Sequence, residues 1–244
     1  MQNVVASALS LVGRGALRIV LPSWCAACGN DLGWRARTAS CCASCWSSLP
    51  RIDGAKCRSC ALPLPYNEAD FCVSCLAAPL PLDWCEAFGE YRGTLERLLH
   101  ALKFEHHDFL DDALAALLAE TLHARGDLAF DTIVAVPMAR AKQRRRGYNQ
   151  AGLLARALAR RLHVPFDARL LTRRASRLTQ STLPKHARAA NVRDAFHASP
   201  RAARKSVLLV DDICTTGETL RACASPLLAA GAARVCAIVV AKAR

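Results

Sequence analysis

The most informative residues lie between positions 207 and 219, where an apolar run ends in Asp211 and Asp212 and a Thr-Thr-Gly turn follows. The apolar run predicts a strand, and a helix is expected to begin near Glu218. The first amides of a helix are unpaired and carry partial positive charge, so they suit a phosphate group. Two carboxylates would repel that phosphate unless they hold sugar hydroxyls or reach a magnesium ion through water. The pattern therefore predicts a site for a phosphorylated sugar.

Several residues of this stretch are expected to contact the ligand directly. Gly217 lets the backbone approach closely because it has no side chain, and the threonine hydroxyls can donate to phosphate oxygens. In open α/β sheets, ligands bind at the carboxyl ends of strands, where this turn would lie. The predicted contacts are Asp211, Asp212, Cys214, Thr215, Thr216, Gly217, Glu218 and Thr219.

Eight cysteines in the first third of the chain form four pairs, each with two residues between its members. Such a pair makes a turn that directs two sulfurs at one tetrahedral ion, and two turns complete a four-thiolate site without an open position for catalysis. The pattern predicts two structural zinc ions, whose binding would supply folding energy to a segment that buries little apolar surface. The predicted ligands are Cys25, Cys28, Cys42, Cys45, Cys57, Cys60, Cys72 and Cys75.

Two features of the cysteine pattern stay open at the level of the sequence. Cys41 competes with Cys42 as a ligand, and Cys42 is preferred because it preserves the two-residue spacing. Sequential and interleaved pairs could equally share a zinc ion. Outside the pairs, four cysteines are interpreted as small buried apolar residues: Cys85, Cys214, Cys223 and Cys236.

The net charge of +13 is concentrated in one segment. Residues 132–205 contain 18 Lys and Arg against two acids, a net +16, whereas the rest carries 15 Lys and Arg against 18 acids, a net −3. This distribution favours a polyanionic partner. Residues 140–146 are interpreted as a basic loop that, with stacking on the nearby tyrosine, would hold a single strand of nucleic acid. The residues assigned to that contact are Lys142, Arg144, Arg145, Arg146 and Tyr148.

Composition and hydropathy exclude several classes of protein. The hydrophobic fraction of 52% is enough for a buried core and argues against a disordered chain. No apolar run is long enough to span a bilayer. Residues 4–21 are apolar, but Arg14 and Arg18 interrupt them and no basic residue precedes them, which does not fit a secretion signal. We therefore expect a cytoplasmic protein whose cysteines are reduced.

Hydrophobic periodicity predicts the elements that position these residues. Strands are expected at residues 83–91, 132–136, 166–171, 207–210 and 235–240, and helices at 94–104, 110–123, 150–162, 184–191 and 218–230. Because strands alternate with helices, the sequence predicts an α/β fold with a parallel sheet covered on both faces.

The stretch from 207 to 219 resembles the phosphoribosyl-pyrophosphate loop of the type I phosphoribosyltransferases, with its strand, paired acids, Thr-Thr-Gly and further Thr. The resemblance implies that Asp211 and Asp212 hold the ribose 2- and 3-hydroxyls. It also implies that residues 215–219 cradle the 5-phosphate and that magnesium accompanies phosphoribosyl pyrophosphate. We therefore expect an N-terminal amphipathic helix at residues 1–21, a double zinc-ribbon module at 22–80 and a type I phosphoribosyltransferase-like domain at 81–244.

A narrower resemblance covers nearly the whole chain. After the paired cysteines come Tyr91-Arg92-Gly93, Leu102-Lys103-Phe104, Val136-Pro137-Met138, Arg146-Gly147-Tyr148-Asn149-Gln150, Gln180 with Leu183, Arg188 with Asn191, and the Asp-Asp loop. In this order the motifs resemble the ComF family of competence-associated proteins. That resemblance implies a role in DNA uptake by natural transformation, binding of single-stranded DNA and partners among DNA-uptake proteins. It places Pro137 and Arg140 on the pyrophosphate side and Arg188 on a loop that closes over the ligand.

Whether the site catalyses a reaction on its ligand is a separate question. Phosphoribosyl transfer displaces pyrophosphate through a cation-like transition state, so catalysis consists mostly of positioning and charge stabilisation. The sequence offers basic residues for that purpose but identifies no residue that binds an incoming base or amine. The alternatives to a binding protein are an active phosphoribosyltransferase on an unknown base or amine, and a zinc-dependent scaffold with an inactive site. The peptide bond between Val136 and Pro137 is a candidate for a cis bond.

Overall fold

The computed structural model describes residues 24–32, 41–65, 70–104, 110–174 and 195–243. The helix expected at residues 1–21, the helical patch at 184–191 and the predicted ligand residue Arg188 lie outside these ranges.

A parallel sheet of four strands forms the centre of the second domain, which confirms the predicted fold class. The strands of the described residues are β1 (Cys85–Glu90), β2 (Thr132–Ala135), β3 (Leu171–Arg173), β4 (Phe196–Ala198), β5 (Ser206–Cys214) and β6 (Arg234–Lys242). The sheet has the order β1-β6-β5-β2, and β3 and β4 form a separate antiparallel hairpin. Strands β5 and β6 are buried over almost their whole length, which explains their continuous apolar sequence.

The helices pack leucine-rich faces against this sheet and against each other. Within the described ranges they are α1 (Ala43–Ser47), α2 (Val73–Ala77), α3 (Gly93–Phe104), α4 (Leu110–Arg125), α5 (Arg140–Arg146), α6 (Gln150–Leu162) and α7 (Glu218–Ala229). The predicted leucine stripes are confirmed: α3 buries Leu95, Leu98, Leu99 and Leu102, and α4 buries Leu114, Leu117, Leu118 and Leu122.

Three predictions about elements were wrong. Residues 140–146 form helix α5 instead of a loop, in keeping with the good helix propensity of Arg, Lys and Gln. The strand expected at 166–171 is reduced to a single bridge between Phe166 and Ile133, because the Asp167 carboxylate accepts the amide of Arg169 and turns the chain. Strand β5 continues to Cys214, so the paired acids lie inside the strand.

The cysteine-rich module packs directly against the α/β domain through its backbone. The amide of Ile52 donates to the carbonyl of Phe88, and the amide of Glu90 donates to the carbonyl of Pro50. These bonds pair residues 50–52 with the outer edge of β1, which would otherwise be an exposed sheet edge. An added side chain at Gly89 would meet the carbonyl oxygen of Pro50 at 2.4 Å, so this close approach requires glycine.

Among the residues that the structure describes, no helix combines the length and the apolar character needed to cross a membrane.

Candidate functional site

The carboxyl end of β5 and the start of α7 form the centre of the candidate site. Asp211 and Asp212 are both buried, and each carboxylate accepts the amide of the next residue at 2.9 Å. The turn that follows presents the exposed residues Thr215 and Thr216. The sequence predicted this arrangement of strand, acids, turn and helix because all four elements are contiguous in the chain.

Asp212 lies at the meeting point of three elements. Its carboxylate pairs with the ammonium group of Lys103 at 2.7 Å and accepts a hydrogen bond from the Gln150 amide at 3.4 Å. The Gln150 carbonyl in turn accepts from the guanidinium of Arg146 at 2.7 Å. The end of α3 and the start of α6 are therefore connected to the end of β5 through one carboxylate.

Asp211 has a different electrostatic environment from its neighbour. Its side chain is buried, and this burial, with the adjacent charge of Asp212 as a second cause, raises the pKa of Asp211 well above its ordinary value. The nearby Lys103 opposes the shift but does not reverse it. Burial therefore favours a neutral Asp211 carboxyl beside Asp212, which pairs with Lys103.

The start of α7 is available to an anion. Gly217 is the N-cap residue, and no side chain caps the helix through it. The hydroxyl of Thr216 accepts the amide of Glu218 at 3.5 Å, the limit of a hydrogen bond. Thr219 lies one residue further and is exposed. The first amides of this helix are thus not satisfied by strong internal acceptors, which is the geometry that binds phosphate.

The conformation of Gly217 depends on the cysteine-rich module. Its φ is +84°, a left-handed conformation that glycine adopts without strain. An added Cβ would lie 2.6 Å from the side chain of Leu80, so the space is filled by the chain itself. The guanidinium of Arg221 donates to the carbonyls of Ala78 and Pro79, both at 2.9 Å. The segment after the last cysteine pair therefore packs on the turn.

A group of basic side chains surrounds the acids on the other side. Partial desolvation lowers the pKa of Lys142, although this residue is exposed on α5, and the positive charges of Arg146 and Lys103 lower it further. Asp212 lies close enough to oppose this shift. Because the neighbouring cations disfavour the charged form of Lys142, an anion that joins this group would stabilise it, so this side of the site suits the polyphosphate part of a ligand.

The remaining predicted ligand residues occupy different positions. Pro137 follows β2, where the amide of Val136 donates to the carbonyl of Val210, and Arg140 is exposed at the start of α5. The thiol of Cys214 is buried and lies 3.8 Å from the carbonyl oxygen of Cys60. The same sulfur lies 3.9 Å from the carbonyl oxygen of Thr215, so the side chain of Cys214 touches both the second cysteine cluster and the turn. The described residues contain no cis peptide bond, so the prediction for the Val136–Pro137 bond was wrong.

Two residues assigned to nucleic acid point inward. Arg146 is only 8% exposed, and its guanidinium lies 4.9 Å from the centre of the Phe104 ring. Tyr148 is half-buried, and its hydroxyl donates to the carbonyl of Leu102. These two side chains connect α3 to the residues around the end of α5. Lys142, Arg144 and Arg145 are exposed on α5.

The eight paired cysteines form two separate clusters, and in each the four sulfurs lie within 4.8 Å of one another. Tetrahedral zinc with thiolate bonds of about 2.3 Å requires sulfurs about 3.8 Å apart, and the Cys28–Cys42 and Cys60–Cys72 sulfurs are 3.9 Å and 3.8 Å apart. The clusters therefore fit zinc. They also resolve the pairing as sequential: the first ribbon comprises Cys25, Cys28, Cys42 and Cys45, and the second ribbon comprises Cys57, Cys60, Cys72 and Cys75.

Cys41 lies near the first ribbon without being part of its four-sulfur group. Its sulfur is 3.7 Å from that of Cys25. Burial, reinforced by the neighbouring Cys25, raises the pKa of Cys41 to about 12. Burial also disfavours the Cys25 thiolate, but amide donors such as that of Cys42 lower its pKa to about 6. The geometry thus favours Cys42 over Cys41 as the fourth sulfur.

Sequence reasoning gave no role to three residues that the structure brings to the site. Lys103 and Gln150 contact Asp212, and the side-chain amide of Asn149 donates to the carbonyl of Val136 at 3.0 Å. All three belong to motifs quoted above for the family resemblance, which was the available signal. Their distance in sequence from Asp212 concealed the contact.

Comparison with known protein families assigns both halves of the chain. Residues 16–76 match the family model of a double zinc ribbon domain, and residues 148–244 match that of a phosphoribosyl transferase domain. The fold and the site thus define a class of protein in which a double zinc ribbon precedes a phosphoribosyltransferase-type domain.

Individual relatives narrow this class to a family. The DNA utilization protein YhgH of Escherichia coli K12 is 35% identical over 193 residues, covering 78% of this chain and 85% of the relative. Competence protein F of Haemophilus influenzae is 33% identical, covering 67% and 74%. Competence protein ComFC of Bacillus subtilis is 26% identical, covering 84% and 86%. The chain belongs to the ComF family of competence and DNA utilization proteins.

Proposed function

We propose that this protein binds phosphoribosyl pyrophosphate with magnesium at the turn between β5 and α7, binds single-stranded DNA, and acts in DNA uptake. The observation that carries the ligand assignment is the juxtaposition of two buried acids with a helix start whose N-cap residue, Gly217, has no side chain to cap it. A phosphate alone would not need two buried acids beside it, and a neutral sugar alone would not need the amides at the start of α7. A ribose phosphate uses both features.

Each part of the proposed ligand has its own set of residues. The 5-phosphate receives the amides and hydroxyls of Thr215, Thr216 and Thr219. The ribose hydroxyls bind Asp211 and Asp212, and Asp212 then exchanges part of its contact with Lys103 for a hydroxyl. Magnesium, held mainly by the ligand's own phosphates, would be reached from these carboxylates through water.

The pyrophosphate of the ligand is assigned to the basic side of the site. Lys103 and Lys142 lie beside Asp212, and Arg140 follows Pro137 at the start of α5. We retain Arg188 as a proposed residue of the closing loop. Binding of a polyanion would relieve the repulsion among these cations, which gives the ligand affinity without any covalent step.

The nucleic-acid part of the proposal is supported by charge and by the relatives. The net charge of +13 gives single strands an electrostatic attraction that does not depend on sequence. The relatives named for competence and DNA utilization motivate a role in DNA uptake, with DNA-uptake proteins as partners. We also propose the boundaries 1–21, 22–80 and 81–244 and a cytoplasmic, reducing location, which suits thirteen cysteines that form no disulfide.

Calorimetry with phosphoribosyl pyrophosphate and magnesium tests the ligand assignment. The wild type is expected to bind, and the Asp211→Ala/Asp212→Ala variant is expected to bind at least about 100-fold more weakly, since both sugar contacts are lost. Asp112→Ala, which removes an exposed acid on α4, is the control and should bind like the wild type. Equal affinity of the double variant and the wild type would contradict the assignment.

A second candidate function is phosphoribosyl transfer to a base or amine, favoured by the cations beside Asp212, which would stabilise a departing pyrophosphate. Release of pyrophosphate, measured with a panel of nucleobases and amines, distinguishes the two functions. Turnover with any acceptor would establish transfer. If no acceptor causes release of pyrophosphate although the protein binds phosphoribosyl pyrophosphate, the binding function is favoured.

A further inference from the structure

Two large aromatic side chains on one face of the protein are exposed to solvent. Trp24, which precedes the first ribbon, is 56% exposed, and Phe104, at the end of α3, is 57% exposed. Exposed rings of this size are uncommon on a surface that has no partner. Neither ring is part of the hydrophobic core, and neither belongs to the site proposed for phosphoribosyl pyrophosphate.

A cavity and a helix face connect the two rings. A cavity of about 370 Å³ lies between the first ribbon and α3, and Trp24, Arg97 and His100 line it. The ring of His100 lies 4.7 Å from that of Phe104, centre to centre. Arg97, His100 and Phe104 have the spacing i, i+3 and i+7, so they share one face of α3. We call Trp24, Arg97, His100 and Phe104 the aromatic platform.

Cations accompany the rings along this platform. Arg97 is exposed beside Trp24. The guanidinium of Arg146 is buried and packs against the Phe104 ring, 4.9 Å from its centre, so it supports the ring and is not counted among the cations that meet a strand. Rings interleaved with cations are the surface that holds unpaired nucleobases, since bases stack on the rings while basic groups attract the phosphates. The exposed aliphatic pair Val73 and Leu76 on the second ribbon lacks both features.

We infer that the aromatic platform is the surface on which this protein stacks the bases of single-stranded nucleic acid. The inference rests on the proposed function, which includes binding of single strands, and it replaces Arg146 and Tyr148 as the direct contacts. The platform ends at the phosphoribosyl site, because Lys103, the residue before Phe104, pairs with Asp212. A strand on the platform thus runs from the first ribbon toward that site.

A comparison of two strands of equal charge isolates stacking from electrostatic attraction. The zinc-loaded full-length protein is titrated with a fluorescent thymidine oligonucleotide and with an abasic strand of the same length. The wild type is expected to prefer the strand with bases by at least about tenfold, the equivalent of one stacked base. Trp24→Leu/Phe104→Leu should lose this preference, and Trp24→Phe should keep it. Val73→Ala/Leu76→Ala, which shortens exposed side chains elsewhere, should behave like the wild type.

The outcomes separate the platform from the proposed function. If the wild type binds neither strand, the nucleic-acid part of the proposed function fails and the inference fails with it. If the wild type binds both strands equally, or if Trp24→Leu/Phe104→Leu keeps the preference for bases, the platform is wrong while binding of single strands stands. Zinc content and phosphoribosyl-pyrophosphate affinity of each variant verify its fold.

Intrinsic fluorescence provides a second measurement that needs no destabilising variant. The thymidine oligonucleotide should quench the wild-type tryptophan signal, and Trp24→Phe should lose that quenching while its affinity is unchanged. Quenching that persists in Trp24→Phe would overturn the assignment of Trp24 to the platform.

Discussion

The two ribbons have the same cysteine spacing but differ in what they contact. All four cysteines of the second ribbon are buried, whereas Cys28 of the first ribbon is exposed and Cys42 is half-buried. The second ribbon packs on the phosphoribosyltransferase-type domain: the carbonyl of Arg58 accepts the amide of Cys85, and the carbonyl oxygen of Cys60 lies 3.8 Å from the thiol of Cys214. The first ribbon instead borders a cavity that opens beside α3.

The difference indicates that one metal motif serves two purposes in this chain. The second ribbon holds Leu80 against Gly217 and thereby fixes the turn at the start of α7. The first ribbon places Trp24 on the surface. Loss of the zinc ion of the second ribbon should therefore affect the sugar-phosphate site. Loss of the zinc ion of the first ribbon should affect the nucleic-acid surface.

Removal of one cysteine from each ribbon is expected to give the largest effect. Cys60→Ser should lower the zinc content from two ions to one and weaken phosphoribosyl-pyrophosphate binding at least about tenfold, because metal binding supplies the ribbon's folding energy. Cys28→Ser should lower the zinc content equally and leave that affinity within about twofold of the wild type. Elemental analysis and calorimetry measure both quantities. Equal losses of affinity in the two variants would contradict the division of roles.

The substitution Asp211→Asn changes the chemistry of the site and leaves the contact between Leu80 and Gly217 in place. The raised pKa of Asp211 means that the folded state binds more protons than the unfolded state, so the free energy of unfolding falls as pH rises through that pKa. Asparagine removes this loss, so the variant should gain stability relative to the wild type as the pH rises from the ordinary pKa of an aspartate toward the raised pKa of Asp211. Its affinity for phosphoribosyl pyrophosphate should fall about tenfold.

Thermal denaturation across that pH range, followed by calorimetry, measures both effects. Asp112→Asn is the control: it removes an exposed ion pair with Arg161, which should lower the free energy of unfolding by less than about 1 kcal/mol and leave the affinity unchanged. A difference in stability between Asp211→Asn and the wild type that is constant with pH would show that Asp211 is ionised in both states.

The turn was predictable from the sequence, while the contacts around it were not. The strand, the acids and the glycine between residues 207 and 219 are neighbours in the chain, so local rules describe them. Lys103 and Leu80 reach the same turn from over 100 residues away, and periodicity carries no information about such contacts. The charge of residues 140–146 is typical of a solvated loop, but the helix propensity of Arg, Lys and Gln favours the helix α5 that forms there.

The contact between Leu80 and Gly217 can be tested by a pair of substitutions. Gly217→Ala introduces a Cβ into a left-handed residue, at a cost of roughly 1–2 kcal/mol, and it also collides with Leu80. Leu80→Ala in the same chain should recover the part of the stability that the collision removes. Denaturant unfolding of both single variants and the double variant measures the coupling. If the two substitutions change the free energy of unfolding additively, the second ribbon does not constrain the turn.

The smallest effect is expected from Arg221, which joins α7 to the second ribbon. Arg221→Met removes two hydrogen bonds to the carbonyls of Ala78 and Pro79 and should lower the free energy of unfolding by about 1 kcal/mol. Arg160→Met, a change of the same size on an exposed position of α6, should lower it by less than about 0.5 kcal/mol. Chemical denaturation compares the two. An effect of Arg160→Met as large as that of Arg221→Met would remove Arg221 from the interface.

The most direct test of the account is amide hydrogen exchange at residues 215–219 of the wild type, with and without phosphoribosyl pyrophosphate and magnesium. If the free amides at the start of α7 receive the 5-phosphate, exchange there should slow at least about tenfold on binding, and ribose 5-phosphate should produce the same local effect. If the ligand binds and these amides exchange as fast as before, the phosphate lies elsewhere and the account is wrong.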